Sequence, residues 1–261
     1  MKIRNNTVFV YDLEVFPNLF TCYALNTESK GSKAYEISQR RNDLQEIIDL
    51  FSFKTICYCG YNNLEYDNII INYILLKRDS LLKMAAIQLC AELKSLSDMI
   101  IGDSMPQKLR KELRFAKTFE TTLDVLAMMF SSKNRVGLKE MQITMGWHLV
   151  REYEGDFNAN VPVSDIDDVI SYNRNDVEST AHLLELMKED VELRVAIEDQ
   201  AKKEGYQISV LNKDGSNLGM EIIKMRYLKK TGQKWNDIKE LRSPCDSIAL
   251  KDIICDFIAF E

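Results

Sequence analysis

Two carboxylates stand inside an otherwise apolar strand pattern near the start of the chain. Residues 8–10 and 15–16 are apolar, and Asp12 and Glu14 lie between them. Charged side chains seldom occupy such a segment without partners, because removing a charge from water is costly. Residues i and i+2 of a strand project from the same face, so Asp12 and Glu14 are predicted to address one point, whereas Leu13 faces the core.

Two further acidic motifs follow along the chain. Asp67 closes the segment Asn-Leu-Glu-Tyr-Asp at residues 63–67, just after a predicted strand end, where α/β proteins place their binding groups. Tyr172 and Asp176 are four residues apart in a helical pattern, and positions i and i+4 lie on one helix face. Taken alone, each motif is also typical of an exposed strand or helix surface.

Together the three motifs predict one site with four carboxylates and one phenol, formed by Asp12, Glu14, Asp67, Tyr172 and Asp176. Carboxylates held close together repel one another unless a cation neutralises them. The set therefore predicts hard divalent metals such as Mg²⁺ or Mn²⁺, which prefer oxygen ligands. The order and spacing of the motifs indicate an exonuclease that cleaves phosphodiester bonds.

The rest of the pattern predicts an α/β chain. Strands are expected at residues 8–13 and 19–25, joined by a turn at Pro17-Asn18, and at residues 32–37, 55–59 and 119–123, the last delivering Asp124 to its end. Helices are expected at residues 42–51, 64–76, 81–101 and 138–145. A helix capped at Ser164 carries the third motif, and a further helical stretch ends near residue 203.

These elements divide the chain into two predicted parts. Residues 1–203 form the main α/β domain, and residues 204–261 form a smaller, mainly helical C-terminal appendage. We interpret the appendage as the start of a further domain or as a segment that packs on a partner. An apolar run at residues 253–260 is an unusual end for a free domain, which favours a fragment of a longer protein or a partner contact.

Composition narrows the class of protein. With 46% hydrophobic and 28% charged residues, the chain is typical of an ordinary globular protein. Its apolar runs fall well short of the ~20 residues that a membrane span needs, and its start lacks the apolar core of a signal peptide. We therefore expect a cytoplasmic protein with no membrane partner.

The charge and the cysteines limit the partners further. A net charge of −6 argues against gripping long duplex DNA by charge alone, and the basic stretches at residues 108–117 and 224–234 are either backbone contacts or solvated faces. The six cysteines lack the paired spacing of a zinc site, so reduced core thiols are expected. The sequence lacks the Gly-x-Gly of a nucleotide-binding loop. It also lacks the His-Glu-x-x-His, Gly-x-Ser-x-Gly and polymerase palm signatures.

The three motifs resemble the exonuclease motifs of the DEDD superfamily, tyrosine subtype. The histidine subtype would need histidine where Ser171 stands. Over about residues 7–190, the chain looks most like the proofreading exonuclease domain of phage-type, family B-like DNA polymerases, and residues 137–141 resemble the helix that these domains carry before the third motif. The resemblance implies a ribonuclease H-like mixed β-sheet flanked by α-helices.

The resemblance also implies a role for each motif residue. Asp12, Glu14 and Asp176 would bind one metal, Asp12 would also hold a second, and Asp67 would support the second through water. Tyr172 would orient the attacking water. Two Mg²⁺ or Mn²⁺ ions, about 3.5 to 4 Å apart, would stabilise the attacking and leaving oxygens of an in-line displacement. The product would be a nucleoside 5′-monophosphate released from the 3′ end of single-stranded DNA.

Five residues beside the motifs are candidates for binding the substrate: Leu13, Phe16, Asn62, Asn63 and Tyr66. Both asparagines lie at spacings that the family uses, and Asn63 is favoured. Either aromatic ring could stack on a base for about 1 to 3 kcal/mol, or belong to the core. Two departures from relatives stand out: Val15 replaces a threonine, and Arg151 is the nearest cation before the third motif, in the region where some relatives have a lysine.

The predicted partner is therefore a single-stranded DNA 3′ end, with proofreading in phage DNA replication as the expected role. A DNA polymerase module in the same longer chain would be the second partner. Two alternatives stay open from the residues alone. One is a stand-alone DEDD nuclease for RNA or short oligonucleotides. The other is a catalytically silent binding scaffold, although the presence of all four carboxylates and Tyr172 speaks against silence.

Overall fold

A mixed six-stranded sheet organises the computed structural model, which describes residues 1–116, 118–119, 121–131 and 134–232. The strands are β1 (Lys2–Ile3), β2 (Asn6–Phe16), β3 (Leu19–Asn26), β4 (Ser32–Ile37), β5 (Ile56–Gly60) and β6 (Thr121–Asp124). They follow the order β4-β3-β2-β5-β6, with β1 paired to β2. β2, β3 and β4 pair antiparallel, whereas β5 and β6 run parallel to β2.

Helices flank this sheet. They are α1 (Leu44–Ser52), α2 (Asp67–Leu81), α3 (Ala86–Ile101), α4 (Gln107–Arg114), α5 (Val125–Met129), α6 (Leu138–Thr144), α7 (Ile166–Leu186), α8 (Lys188–Lys203) and α9 (Gly215–Thr231). α3 packs across β2, β3 and β4, and α7 packs across β2 and β3. The predicted fold class, a mixed β-sheet flanked by α-helices, is confirmed.

Alternation along β2 decides which side chains meet which layer. Tyr11, Leu13 and Val15 point into the core formed with α1, α2 and α3. Val8 and Val10 point into the opposite core, which includes residues of α7. Because the period of a strand is two, the two carboxylates of the first motif continue the second face and look toward α7.

The predicted helix at residues 81–101 is wrong in its first turn. α2 runs on to Leu81, and the chain turns before α3 begins at Ala86, with Ala85 in an extended conformation. No glycine or proline marks this break, so the apolar pattern reads as continuous. The reversal lets α3 return across the sheet, which is a tertiary requirement that local spacing does not encode.

Other boundaries differ more locally. α2 begins at Asp67 instead of residue 64, because residues 62–66 form the turn that leads out of β5. A single 3₁₀ turn, Val163–Asp165, precedes α7, and the Ser164 hydroxyl donates to the Asp165 carboxylate over 2.7 Å instead of capping the helix. α4 and α5 were not predicted.

The described part of residues 204–261 packs along the outer edge of β6. The Asn212 side chain donates to the Thr122 carbonyl over 2.8 Å and accepts from the Asp124 backbone N–H over 2.7 Å. The Asp214 side chain accepts from the Ser216 and Asn217 N–H groups and so caps α9. The apolar run at residues 253–260 lies outside the described residues, and the domain boundary at 203 stays a prediction.

The four described cysteines, Cys22, Cys57, Cys59 and Cys90, are buried thiols, as expected for core positions. Cys245 and Cys255 lie outside the described residues. Within the described ranges, no helix combines the length and apolar character that crossing a membrane requires.

Candidate metal centre

The carboxylates of Asp12, Glu14 and Asp176 converge at one end of the sheet. One oxygen from each lies within 4.8 Å of the others, a spacing at which three acids can share a cation. Asp12 and Glu14 come from β2, and Asp176 comes from the middle of α7. The first and third predicted motifs therefore meet, although 162 to 164 positions of chain separate them.

The end of β5 opens the space for this cluster. The parallel pairing of β2 with β5 ends at Val10 and Cys59, whereas β2 continues to Phe16 beside β3 alone. Asp12 and Glu14 thus lie beyond the last parallel pair. In open sheets with parallel strands, the crevice outside the carboxyl ends of the strands is where ligands bind.

The turn after β5 brings the second motif to the same edge. A Cβ added at Gly60 would lie 2.8 Å from the Asn63 Cβ and 3.1 Å from the Tyr11 carbonyl oxygen, so only glycine allows this close approach. Asn62 adopts a left-handed conformation with φ of 64°, which asparagine tolerates better than most residues. The chain then enters α2, whose first residue is Asp67.

Asp67 is buried behind the three-carboxylate cluster. Its side chain is 4% exposed, and within the described residues its Oδ1 atom has no hydrogen-bond partner. Burial, aided by the charge of Asp124, raises the pKa of Asp67 to about 7, although the backbone N–H groups of Asp67 itself and Leu13 oppose this rise. Its charge in turn raises the pKa of both Asp12 and Glu14, although it lies outside the 4.8 Å group.

The cluster carries the electrostatic signature of a cation site. Burial raises the pKa of Asp12 well above its usual range, and the neighbouring carboxylates raise it further. The pKa of Glu14 is raised by burial first and by Asp176 and Asp67 next. Unpaired buried carboxylates must either take up protons or bind a cation. Hard oxygen donors at this spacing fit a divalent cation.

Lys139 places a positive charge at this site, and no motif predicted this role from the sequence. Its ammonium group binds the Asp176 carboxylate and lies 4.3 Å from the centroid of the Tyr172 ring. Gln142, one turn further along α6, donates to the same Asp176 oxygen over 3.1 Å. The sequence points to Arg151 for this place, whereas in the structure α6 packs on α7 and brings Lys139 to Asp176 despite the longer sequence separation.

A hydrogen bond fixes the position of Asp12, and burial fixes the protonation state of Tyr172. Asn173 is fully buried and donates to the Asp12 carboxylate over 2.7 Å, so α7 fixes a side chain of β2 directly. Tyr172 is buried beside Asp176, and burial followed by the nearby carboxylates raises the pKa of its phenol. Tyr172 therefore stays a neutral phenol, able both to donate and to accept a hydrogen bond.

Sequence signals existed for the residues that were missed. Asn173 lies three residues before Asp176, and Gln142 lies three residues after Lys139, so each shares a helix face with a group at the site.

The two candidate asparagines differ in exposure. Asn63 is fully buried, and its amide donates to the Thr122 hydroxyl over 3.3 Å and to the Asn68 side chain over 3.4 Å. Asn62 is partly exposed, and its side-chain oxygen accepts from Arg135 over 2.9 Å. Asn63 thus braces the turn from inside, whereas Asn62 lies at its surface. Substrate binding by either side chain stays a prediction.

The other candidates for substrate binding have protein partners in this structure. The fully buried ring of Phe16 packs edge-on to Tyr153 at 5.2 Å and parallel to Phe157 at 5.3 Å. The Tyr66 hydroxyl lies 2.6 Å from the Ser97 hydroxyl. Leu13 points into the core on the opposite face of the sheet. Base stacking by the two rings stays a prediction.

A further acid, Asp124, secures the turn of the second motif. Its carboxylate accepts from the backbone N–H groups of Asn62 at 3.0 Å, Leu64 at 3.1 Å and Ala127 at 3.2 Å. This carboxylate therefore ties the turn to β6 and to the start of α5.

Comparison with known proteins gives structural neighbours only. No protein-family model and no curated protein sequence matches the chain. A structure of exonuclease I is 13% identical with a TM-score of 0.35, covering 70% of this chain and 41% of that one. The zinc-bound E. coli exonuclease I complex with single-stranded DNA is 12% identical, with a TM-score of 0.34 and coverage of 74% and 42%. The chain thus spans less than half the length of these proteins.

Proposed function

We propose that the chain is a metal-dependent 3′-to-5′ exonuclease that acts on single-stranded DNA. The observation that carries the proposal is the convergence of Asp12, Glu14 and Asp176 within 4.8 Å, with Tyr172 beside them. These are the residues that the three motifs single out from the sequence. The product would be a nucleoside 5′-monophosphate.

The proposed cofactors are two Mg²⁺ or Mn²⁺ ions, held by Asp12, Glu14 and Asp176 with Asp67 behind them. When bound, such ions supply charge neutralisation for the attacking and leaving oxygens and lower the pKa of water. The protonation-prone carboxylates support this assignment, because a cation removes the repulsion that raises their pKa values.

The chain's own side chains would then hold and orient the reactants. The neutral phenol of Tyr172 would donate a hydrogen bond to the attacking water or accept one from it. This bond would fix the direction from which the water attacks. Asn173 would keep the Asp12 carboxylate in one orientation, and Gln142 would do the same for Asp176. Side chains held in this way lose little conformational entropy when the substrate binds.

The proposed biological role is proofreading in phage DNA replication, with a polymerase module in the same longer chain. This role rests on the resemblance of the motifs to phage-type, family B-like polymerases.

A gel assay tests the activity. Single-stranded DNA and RNA labelled at the 5′ end are incubated with Mg²⁺, Mn²⁺ or EDTA, using wild type, Asp12→Ala and the surface control Asp79→Ala, whose side chain is 88% exposed. With metal, we expect wild type and the Asp79→Ala control to give a ladder of products shortened from the 3′ end. Asp12→Ala should give none. A ladder in EDTA, or full activity of Asp12→Ala, would contradict the proposal. The RNA lanes show whether the enzyme also acts on RNA.

A further inference from the structure

One face of α4 carries an unusual combination of charge and aromatic surface for a chain of net charge −6. The helix holds four basic residues and one acid within Gln107–Arg114. Lys108, Lys111 and Phe115 follow the spacing i, i+3, i+7, so they form one stripe, and all three are exposed. We call this stripe, together with Arg114, the α4 basic patch.

The exposed groups of the patch are available to a ligand. Phe115 is 72% exposed, a high value for a large apolar side chain. Within the described residues, Lys108 and Lys111 form no ion pair or side-chain hydrogen bond, whereas Arg110 is held by Asp103 at 2.6 Å. The opposite side of α4 is anchored, because Leu113 is buried and its carbonyl accepts from Asn72 over 2.7 Å.

The patch adjoins the turn of the second motif. Arg114 pairs with Glu65, which stands two residues before Asp67. Arg114 and Phe115 also line a surface cavity together with Leu64 of that motif and Asn68, which directly follows it. The patch therefore borders the turn that carries the second motif.

Single-stranded nucleic acid matches this surface chemically. Phosphates bind lysine side chains, and bases of any sequence stack on exposed aromatic rings. The carboxylate cluster repels phosphate until it holds cations, so a polyanionic substrate gains from a positive surface close by. An acidic protein would match the lysines, but it gives no reason for an exposed phenylalanine within the stripe.

We propose that the α4 basic patch binds the single-stranded segment that precedes the 3′-terminal nucleotide. This inference rests on the proposed exonuclease function. It assigns Lys108 and Lys111 to backbone phosphates and Phe115 to a base, without sequence preference.

Two substrates of different reach separate the patch from the metal centre. The p-nitrophenyl ester of thymidine 5′-monophosphate occupies the metal centre alone, whereas an oligothymidylate of about 16 nucleotides spans both surfaces. The variants are Lys108→Glu/Lys111→Glu and Phe115→Ala. The control is Lys202→Glu/Lys203→Glu, which makes the same charge change on exposed residues of α8.

We expect kcat/KM on the oligonucleotide to fall at least about 10-fold in both patch variants, because phosphate contacts and stacking are lost. Hydrolysis of the ester should stay within about twofold of wild type. For Lys108→Ala/Lys111→Ala, the slope of log affinity against log salt should fall by about 1.4, which is two contacts at about 0.7 each.

The outcomes are distinguishable. Wild type that hydrolyses neither substrate removes the proposed function itself. Wild type that hydrolyses both, with patch variants that match the α8 control on the oligonucleotide, overturns the inference and assigns the patch to a protein partner instead. Equal losses on ester and oligonucleotide also overturn it, because they show a distorted metal centre.

Discussion

Asp67 and Asp124 lie at the same edge of the sheet and are both nearly fully buried, at 4% and 1% exposure, yet their surroundings differ. Asp124 accepts hydrogen bonds from three backbone N–H groups. Within the described residues, the Oδ1 atom of Asp67 has no partner. Burial raises the pKa of both acids, and backbone N–H groups oppose that rise at both. The donors belong to Asp67 itself and Leu13 at Asp67, and to Ala127, Leu64, Asn62 and Leu126 at Asp124.

The difference separates acids that build the fold from acids that await a ligand. A buried carboxylate with several N–H donors is stabilised in its charged form and needs no cation. A buried carboxylate without enough donors must gain a proton or a metal. By this criterion Asp12 and Glu14 resemble Asp67, because burial and mutual repulsion raise the pKa of each.

The largest effect that tests this distinction is expected for Glu14→Gln. Removing one charge from the cluster should lower exonuclease kcat/KM by about 1000-fold or more, since cation binding is lost. Metal-free thermal stability should stay the same or rise, because repulsion within the cluster is relieved. Glu185→Gln, an exposed change on α7, serves as control. A loss of stability together with retained activity would place Glu14 among the structural acids.

Tyr172→Phe should have the next largest effect. The variant keeps the ring that packs beside Lys139 and removes only the hydroxyl, so the fold and the melting temperature should be unchanged. We expect kcat to fall about 100-fold, in the range of a positioned proton-handling group, with little change in KM. Single-turnover kinetics at saturating substrate measure this, and an undiminished rate would show that Tyr172 only packs.

Asp124→Asn should behave in the opposite way to Glu14→Gln. Asparagine keeps one acceptor oxygen but turns an amide donor toward backbone N–H groups, and it loses charge-assisted bonds. We expect the free energy of unfolding to fall by about 2 to 3 kcal/mol, measured by urea titration without metal. Activity per folded molecule should fall far less than for Glu14→Gln. Stability equal to that of wild type would contradict the anchoring role of Asp124.

Much of this architecture could be predicted from residues close in sequence. The alternation along β2 and the turn at Pro17-Asn18 predict the hairpin, and the spacing Asp12-x-Glu14 predicts that both acids share a face. These features depend on periods of two or four residues, which the sequence displays directly.

The missed features depend on contacts between distant segments. Lys139 reaches Asp176 only because α6 packs on α7, and 37 positions separate the two residues. The donors of Asp124 are backbone groups, which have the same chemistry in every sequence, so no residue type marks them. The break between α2 and α3 likewise follows from packing on the sheet and carries no glycine or proline.

Asp67→Asn tests whether Asp67 is a buried acid with too few hydrogen-bond donors, through the pH dependence of stability. In the fold, the pKa of Asp67 is about 7, above its ordinary value near 3.9, so the folded state favours the protonated form. Wild type should therefore lose stability as pH rises through this interval, whereas the asparagine variant should not. Between about pH 5 and about pH 7.5, metal-free unfolding should shift in favour of the variant by on the order of 2 kcal/mol. Asp79→Asn is the matched exposed control, and a pH-independent difference would remove Asp67 from the unsatisfied class.

The smallest expected effect concerns Lys139, which partly satisfies Asp176 and so stands between the two classes. Its ammonium group neutralises the carboxylate that a cation would use, and a bound divalent ion would repel it. Lys139→Met should therefore tighten Mn²⁺ binding by about 3 to 10-fold, about 1 kcal/mol, in isothermal titration calorimetry. Lys77→Met, an exposed change on α2, should leave the affinity unchanged. Weaker binding by Lys139→Met would show instead that the lysine holds Asp176 in the orientation that a metal needs.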